Sequence, residues 1–208
     1  MLPAFYPILD VAALSRAGIA PVRAAEVILA SGARILQLRH KGHLSRDLFT
    51  MAGELAALCR TRGAEFVMND RADVARLLGC GLHVGQDDLP CAAARDVIGP
   101  GLLGYSTHNQ EQLQSAPVEA DYLALGPIFR TGSKENPDPV VGLDNLRAWR
   151  PLTGRPLVAI GGITLENAAP VIDAGANSVA VIGGLFAGPL TLDLLAERTE
   201  QWLRLLPN

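Results

Sequence analysis

A short apolar run followed by a longer amphipathic segment recurs eight times along this chain, about once every 25 residues, and few folds accommodate that alternation. The runs, four to six residues long, are FYPIL, RILQLR, EFVMN, GLHVG, LLGYS, DYLALG, PLVAIG and SVAVI. Between them, residues 45–60 space Leu48, Met51, Leu55 and Leu58 three or four apart, as one helical face requires. Residues 72–78, 143–150 and 165–174 read as further helices, with Asp144 and Thr164 as N-caps, and residues 190–206 close the series. Strands separated by helices pair in parallel, because a parallel connection needs a crossover of roughly a dozen residues. The expected fold is a single-domain (β/α)8 TIM barrel over residues 1–208, with an open doubly wound sheet as the alternative.

Composition agrees with a packed domain. Hydrophobic residues make up 49% and charged ones 19%, enough to bury a core, and the 5% of aromatics leaves Ala, Leu, Val and Ile to fill it. Lys and Arg number 18 against 21 Asp and Glu, so the electrostatic footprint of a nucleic-acid binder is absent. Cys59, Cys80 and Cys91 are an odd count without a CxxC pair or a neighbouring His cluster, which argues against a disulfide framework or a zinc site. Buried thiols in a reducing cytosol are expected instead. The first residues lack a basic segment leading into a clean apolar stretch, and no apolar run approaches the roughly 20 residues that span a bilayer. The expectation is a soluble, cytoplasmic protein with neither membrane nor nucleic acid as partner; its oligomeric state stays open, a homo-oligomer included.

Barrel enzymes carry their chemistry on the loops at the carboxyl ends of the strands. The second run ends in QLRHK, and alternation puts Gln37, Arg39 and Lys41 on one side, either as a solvated strand end or as a cradle for diphosphate. The third ends in Asn69 and Asp70, and the fourth carries His83 followed by Gln86, Asp87 and Asp88. Carboxylates beside cations suit Mg2+, which takes a few carboxylates and completes its shell with water and phosphate oxygens. Asp70, Asp87 or Asp88 as helix caps are the alternative. His83 is read as a barrel histidine or a substrate contact. Ser106 is read as hydrogen bonding to a heterocycle.

Residues 131–142, TGSKENPDPVVG, form a long irregular stretch expected to act as an active-site flap, with Thr131, Ser133 and Lys134 as phosphate contacts. Gly161-Gly162 and Gly183-Gly184 end the last two runs, either as tight turns or as a backbone phosphate site of the kind barrels build after their last strands. Two anion sites on one mouth, one cationic and one made of backbone, imply two phosphorylated small-molecule substrates. A transferase joining them with loss of pyrophosphate follows.

QLRHK, Asn69-Asp70, GLHVGQDD, GYSTH, GPIFRTGSK, AIGGI and AVIG, in this order, resemble the thiamine phosphate synthase family almost end to end, from Tyr6 to the last helix. The resemblance implies condensation of hydroxymethylpyrimidine diphosphate with hydroxyethylthiazole phosphate, with Mg2+ as cofactor. It places Gln37, Leu38, Arg39, His40, Lys41, Asn69, Ser106 and Lys134 on the pyrimidine diphosphate, and His83 with Gln37 as orienters of its ring. Arg39, Lys41 and Lys134 are implied to stabilise the departing diphosphate. Asp70 and Asp88, rather than Asp87, are implied as metal ligands, and Thr131, Gly132, Ser133, Gly162, Ile182 and Gly183 as the thiazole phosphate site. The chain departs from the family pattern at Gly183, where serine is usual, and in FYPILD, which keeps Tyr6 and Asp10 without the usual threonine. Competing readings are a thiazole tautomerase with His108 as proton shuttle, a non-catalytic thiazole phosphate-binding module, and another phosphate-binding barrel enzyme.

Overall fold

In a computed structural model, which describes residues 2–132 and 138–206, all eight apolar runs are strands. The first half of the chain runs β1 (Phe5–Asp10), α1 (Val11–Arg16), α2 (Pro21–Ala30), β2 (Ile35–Arg39), α3 (Arg46–Thr61), β3 (Glu65–Asn69), α4 (Ala72–Leu78), β4 (Gly81–Val84) and α5 (Cys91–Ile98). The second half runs β5 (Leu103–Thr107), α6 (Gln110–Gln114), β6 (Tyr122–Leu125), α7 (Gly142–Trp149), a 3-10 turn (Arg150–Leu152) and β7 (Leu157–Ile160). It ends with α8 (Ala168–Asp173), β8 (Ser178–Val181), α9 (Gly183–Phe186) and α10 (Leu192–Leu205).

Each strand pairs in parallel with the next, and β8 pairs with β1 (Phe5 opposite Val179, Tyr6 opposite Ala180), so the sheet is a closed barrel rather than an open one. The pleat sorts the side chains into two cores. Tyr6, Ile8, Ile35, Val67, Tyr122, Ala124, Val158 and Ala180 fill the barrel interior. Their strand neighbours, among them Phe5, Leu9, Leu36, Leu38, Met68 and Leu82, pack outward under the helices. Both faces are buried, which is why the strands read as continuous apolar runs instead of alternating ones. Cys59, Cys80 and Cys91 are free and lie in the outer layer. Among the described residues, no helix is long and apolar enough to cross a membrane.

Two expected caps are corrected. The N-cap of α7 is Val141, without a side-chain cap, and Asp144 sits exposed in the first turn. The start of α7 is held by backbone instead: the Val141 and Gly142 N–H groups donate to the Pro127 and Ile128 carbonyls at 2.8 and 3.1 Å. Thr164 does not cap α8. Its own N–H donates to Asn167 Oδ1 at 2.8 Å, and Asn167 Nδ2 reaches the Gly162 carbonyl, which inserts a turn before the helix. Elsewhere side chains do cap: Ser45 accepts from Leu48 N at the start of α3, and Thr191 from Leu194 N at the start of α10.

Candidate active site

Buried polar residues interrupt the interior in the carboxyl-terminal halves of the first four strands: Asp10, Gln37, Asn69 and His83, each at most 8% exposed. Gln37, Asn69 and His83 face a cavity of about 970 Å³ at that end of the barrel. Its floor is apolar and aromatic, with Tyr6, Ile8, Tyr122, Ala124, Val158 and Ala180, and its rim is polar.

Gln37, Arg39 and Lys41 all line the cavity, as strand alternation requires. Leu38 and His40 do not line it: the same alternation turns Leu38 outward into the layer under the helices, and His40 lies against Gly42. Arg39 and Lys41 are each held by a carboxylate. Arg39 is paired with Asp10, which also caps α1 by accepting from Ala13 N at 2.8 Å. Lys41 Nζ donates to Asp70 at 2.5 Å.

Asp70 is the one non-glycine residue with positive φ among those described, at 64°, a conformation aspartate tolerates better than most residues. It caps nothing, since the N-cap of α4 is Arg71, and neither Asp87 nor Asp88 caps α5, which starts from Pro90. Burial pushes the Asp70 carboxyl above the usual range, Lys41 pulls it back, and the adjacent Asp88 carboxylate raises it again. Asp88 is steadied by the Gly85 N–H at 2.8 Å. Like charges side by side are unfavourable unless a proton or a cation offsets them. The Asn69 amide nitrogen next to them is buried without a partner among the described residues, free to donate to an anion.

A run of side-chain hydrogen bonds crosses the cavity floor. Gln37 Nε2 donates to the Tyr6 hydroxyl at 3.0 Å, which meets the Tyr122 hydroxyl at 2.9 Å. His83 Nδ1 lies 2.9 Å from the Tyr122 hydroxyl, and its Nε2 lies 2.9 Å from Ser106 Oγ. Burial pushes both phenols well above the ordinary tyrosine range, so they remain protonated donors. Tyr122 was not legible as a site residue; the one signal for it is its inward register beside Ala124 in DYLALG. Arg130, exposed at the rim, also lines the cavity and was not singled out.

The opposite wall is backbone. Residues 128 and 129 extend along β7, their N–H groups donating to the Ile160 and Gly161 carbonyls at 2.9 and 3.0 Å. Gly161 and Gly162 have φ of 99° and 65°, and a Cβ on either would stand 2.4–2.5 Å from Pro127 or the Arg130 carbonyl. Only glycine lets the two loops approach so closely. Thr131, Gly132, Gly162, Ile182 and Gly183 line the cavity here, whereas Ser133 and Lys134 lie outside the described residues. His108 lines it too, its Nδ1 donating to the Gly126 carbonyl at 2.6 Å, with Asp138 3.4 Å away.

A closed parallel barrel with buried polar groups, carboxylates and glycine loops gathered at the carboxyl ends of its strands is an α/β-barrel enzyme. The sequence profile described as thiamine monophosphate synthase matches residues 5–185. A thiamine-phosphate synthase of Koribacter versatilis is 51% identical over 185 residues, covering 88% of this chain and 84% of that protein. One from Chloroflexus aurantiacus is 46% identical over 164 residues, covering 78% and 76%. The thiamine phosphate pyrophosphorylase structure from Pyrococcus furiosus superimposes with a TM-score of 0.85 at 29% identity, covering 97% of this chain and 94% of that one. The chain belongs to the thiamine monophosphate synthase family and is an enzyme of that family.

Proposed function

We propose that the enzyme condenses 4-amino-2-methyl-5-hydroxymethylpyrimidine diphosphate with 4-methyl-5-(2-hydroxyethyl)thiazole phosphate, giving thiamine phosphate and pyrophosphate. The observation that carries this is the opposition, across one mouth, of the Lys41, Asp70 and Asp88 cluster and the glycine-lined wall at Gly162 and Gly183. The first suits a diphosphate and the second a monophosphate, with a heterocycle-sized apolar floor between them.

Asp70 and Asp88 fit Mg2+: both are hard oxygen donors and lie side by side. Among the described residues no group of three or more His, Cys, Asp or Glu converges, so the remaining ligands would be water and substrate oxygens. When bound, Mg2+ supplies neutralisation of the diphosphate charge.

Arg39 and Lys41, with Lys134 from the loop, bind the diphosphate and stabilise it as the bond from the pyrimidine methylene to oxygen breaks. The electron pair leaves with the pyrophosphate, and the aminopyrimidine ring carries the resulting cation on its methylene. Gln37, His83 and Ser106 orient that ring over the apolar floor. Thr131, Gly132, Ser133, Gly162, Ile182 and Gly183 hold the thiazole phosphate so that the thiazole nitrogen faces the cation and bonds to it. No protein nucleophile takes part.

The test is pyrophosphate release with both substrates, each omitted in turn, with and without Mg2+. Release that needs both substrates and the metal, with thiamine phosphate formed, is the expected result. Isomerisation or retention of the thiazole phosphate without release would point to a tautomerase or a binding module and overturn the proposal.

A further inference from the structure

We propose that Tyr6 and Tyr122 are positioning residues that act on the pyrimidine diphosphate through His83, in a hydrogen-bond chain of a single polarity that ends with the Ser106 hydroxyl donating into the cavity. The inference rests on the condensation reading, since it takes that substrate to be what Ser106 meets.

The polarity follows from counting donors. The Gln37 amide nitrogen can only donate, so the Tyr6 hydroxyl accepts from it and has one proton to give. The group 2.9 Å away is the Tyr122 hydroxyl, which therefore accepts from Tyr6. The Tyr122 proton is left for His83 Nδ1, also at 2.9 Å. His83 Nδ1 must then present its lone pair, which puts the imidazole proton on Nε2, directed at Ser106 Oγ at 2.9 Å. Among the described residues, the Ser106 side chain has no second hydrogen-bond partner, so its proton turns to the cavity it lines. The reverse polarity would leave the Tyr6 hydroxyl receiving two donors and giving its own proton to nothing, deep in the barrel.

The packing is built around this chain. Tyr6 and Tyr122 are at most 1% exposed, so neither hydroxyl can turn to water instead. The His83 and Tyr122 rings stack at 5.5 Å, and Tyr6 meets Tyr122 edge-on at 6.1 Å. Gly104 supplies the space: a Cβ there would lie 2.1 Å from the Tyr122 ring and 2.4 Å from His83 Nδ1. A chain that fixes the tautomer of a histidine also fixes what that histidine offers its next neighbour.

The experiment has two arms on the full chain. In protein carrying 15N-labelled histidine, with His83 assigned by loss of its signals in His83→Gln, nitrogen NMR near neutral pH reports the tautomer directly. The expected result is a protonated Nε2 and a bare Nδ1 whose resonance moves in Tyr122→Phe. A proton on Nδ1, or on both nitrogens, overturns the proposal whether or not the enzyme turns over. In the second arm, Tyr122→Phe and Tyr6→Phe are expected to lower kcat/KM for the pyrimidine diphosphate about tenfold and leave KM for the thiazole phosphate within about twofold. In a Ser106→Ala background, Tyr122→Phe is expected to add no further loss, because its effect runs through Ser106. Additive losses, or equal losses toward both substrates, overturn the positioning role. Wild-type protein that fails to form thiamine phosphate counts against the condensation reading, and the NMR arm still decides the polarity.

Discussion

At the level of single residues, Asp70 joins the most constraints. It is held at positive φ, bonded to Lys41 and pressed against Asp88. Asparagine tolerates the same backbone, so Asp70→Asn removes charge while leaving the loop intact. We expect the Mg2+ concentration for half-maximal activity to rise roughly tenfold or more, since even outer partners of a metal site are worth that much; an unchanged metal titration would sink the ligand assignment. Gly104 tests the opposite quality, space without charge. Gly104→Ala forces the Tyr122 ring or His83 to shift and is expected to lower stability by about 1–3 kcal/mol in urea unfolding. Gln37, Asp70 and Asp88 were legible because polar residues at strand ends stand out against apolar runs. Tyr122 was not, because an inward tyrosine in a strand reads as core until its hydroxyl is seen to have partners.

Among the elements, the wall after β6 and β7 is the most exacting. Gly162→Ala must overcome both a φ of 65° and a Cβ placed 2.4 Å from the Arg130 carbonyl. Thiazole phosphate KM is expected to rise, with about 1–2 kcal/mol of stability lost to backbone strain alone; steady-state kinetics varying each substrate separately would read it, and a rise confined to the pyrimidine diphosphate would contradict the placement of the two sites. A cap is a milder test. Ser45→Ala deprives Leu48 N of its acceptor and is expected to cost about 1 kcal/mol by urea midpoint. The eight strands matched their apolar runs closely, since burial on both faces leaves little else for such runs to do. Asp144 and Thr164 failed as caps because distant backbone holds α7 and a local asparagine turn precedes α8, and neither is visible in a capping pattern.

For the molecule as a whole, burial gives a stability that depends on pH. It pushes the Cys59 and Cys80 thiols up to about 12 and Cys91 up to about 11, from an ordinary 9.0, and raises the phenols of Tyr6 and Tyr122. A raised folded value means that the native chain keeps protons the unfolded chain releases. Stability is therefore fully present below about pH 9 and falls as pH rises, by up to about 1.4 kcal/mol per pH unit for each such group. The urea midpoint is expected to hold between pH 7 and 8 and to drop by pH 10, less steeply in Cys59→Ala; a midpoint unchanged at pH 10 would refute it. The amino-acid sequence by itself determined the barrel and the inventory of its mouth, because period, burial on both faces and strand-end position are local properties of a chain. Which groups meet was decided by strand register and closure. Asp10 meets Arg39 through the β1–β2 register, Lys41 meets Asp70 from the ends of neighbouring β2 and β3, and Tyr6 meets Tyr122 across 116 residues because β8 returns to β1 in a fixed register. No local pattern encodes that register, since it is set by all eight strands packing at once.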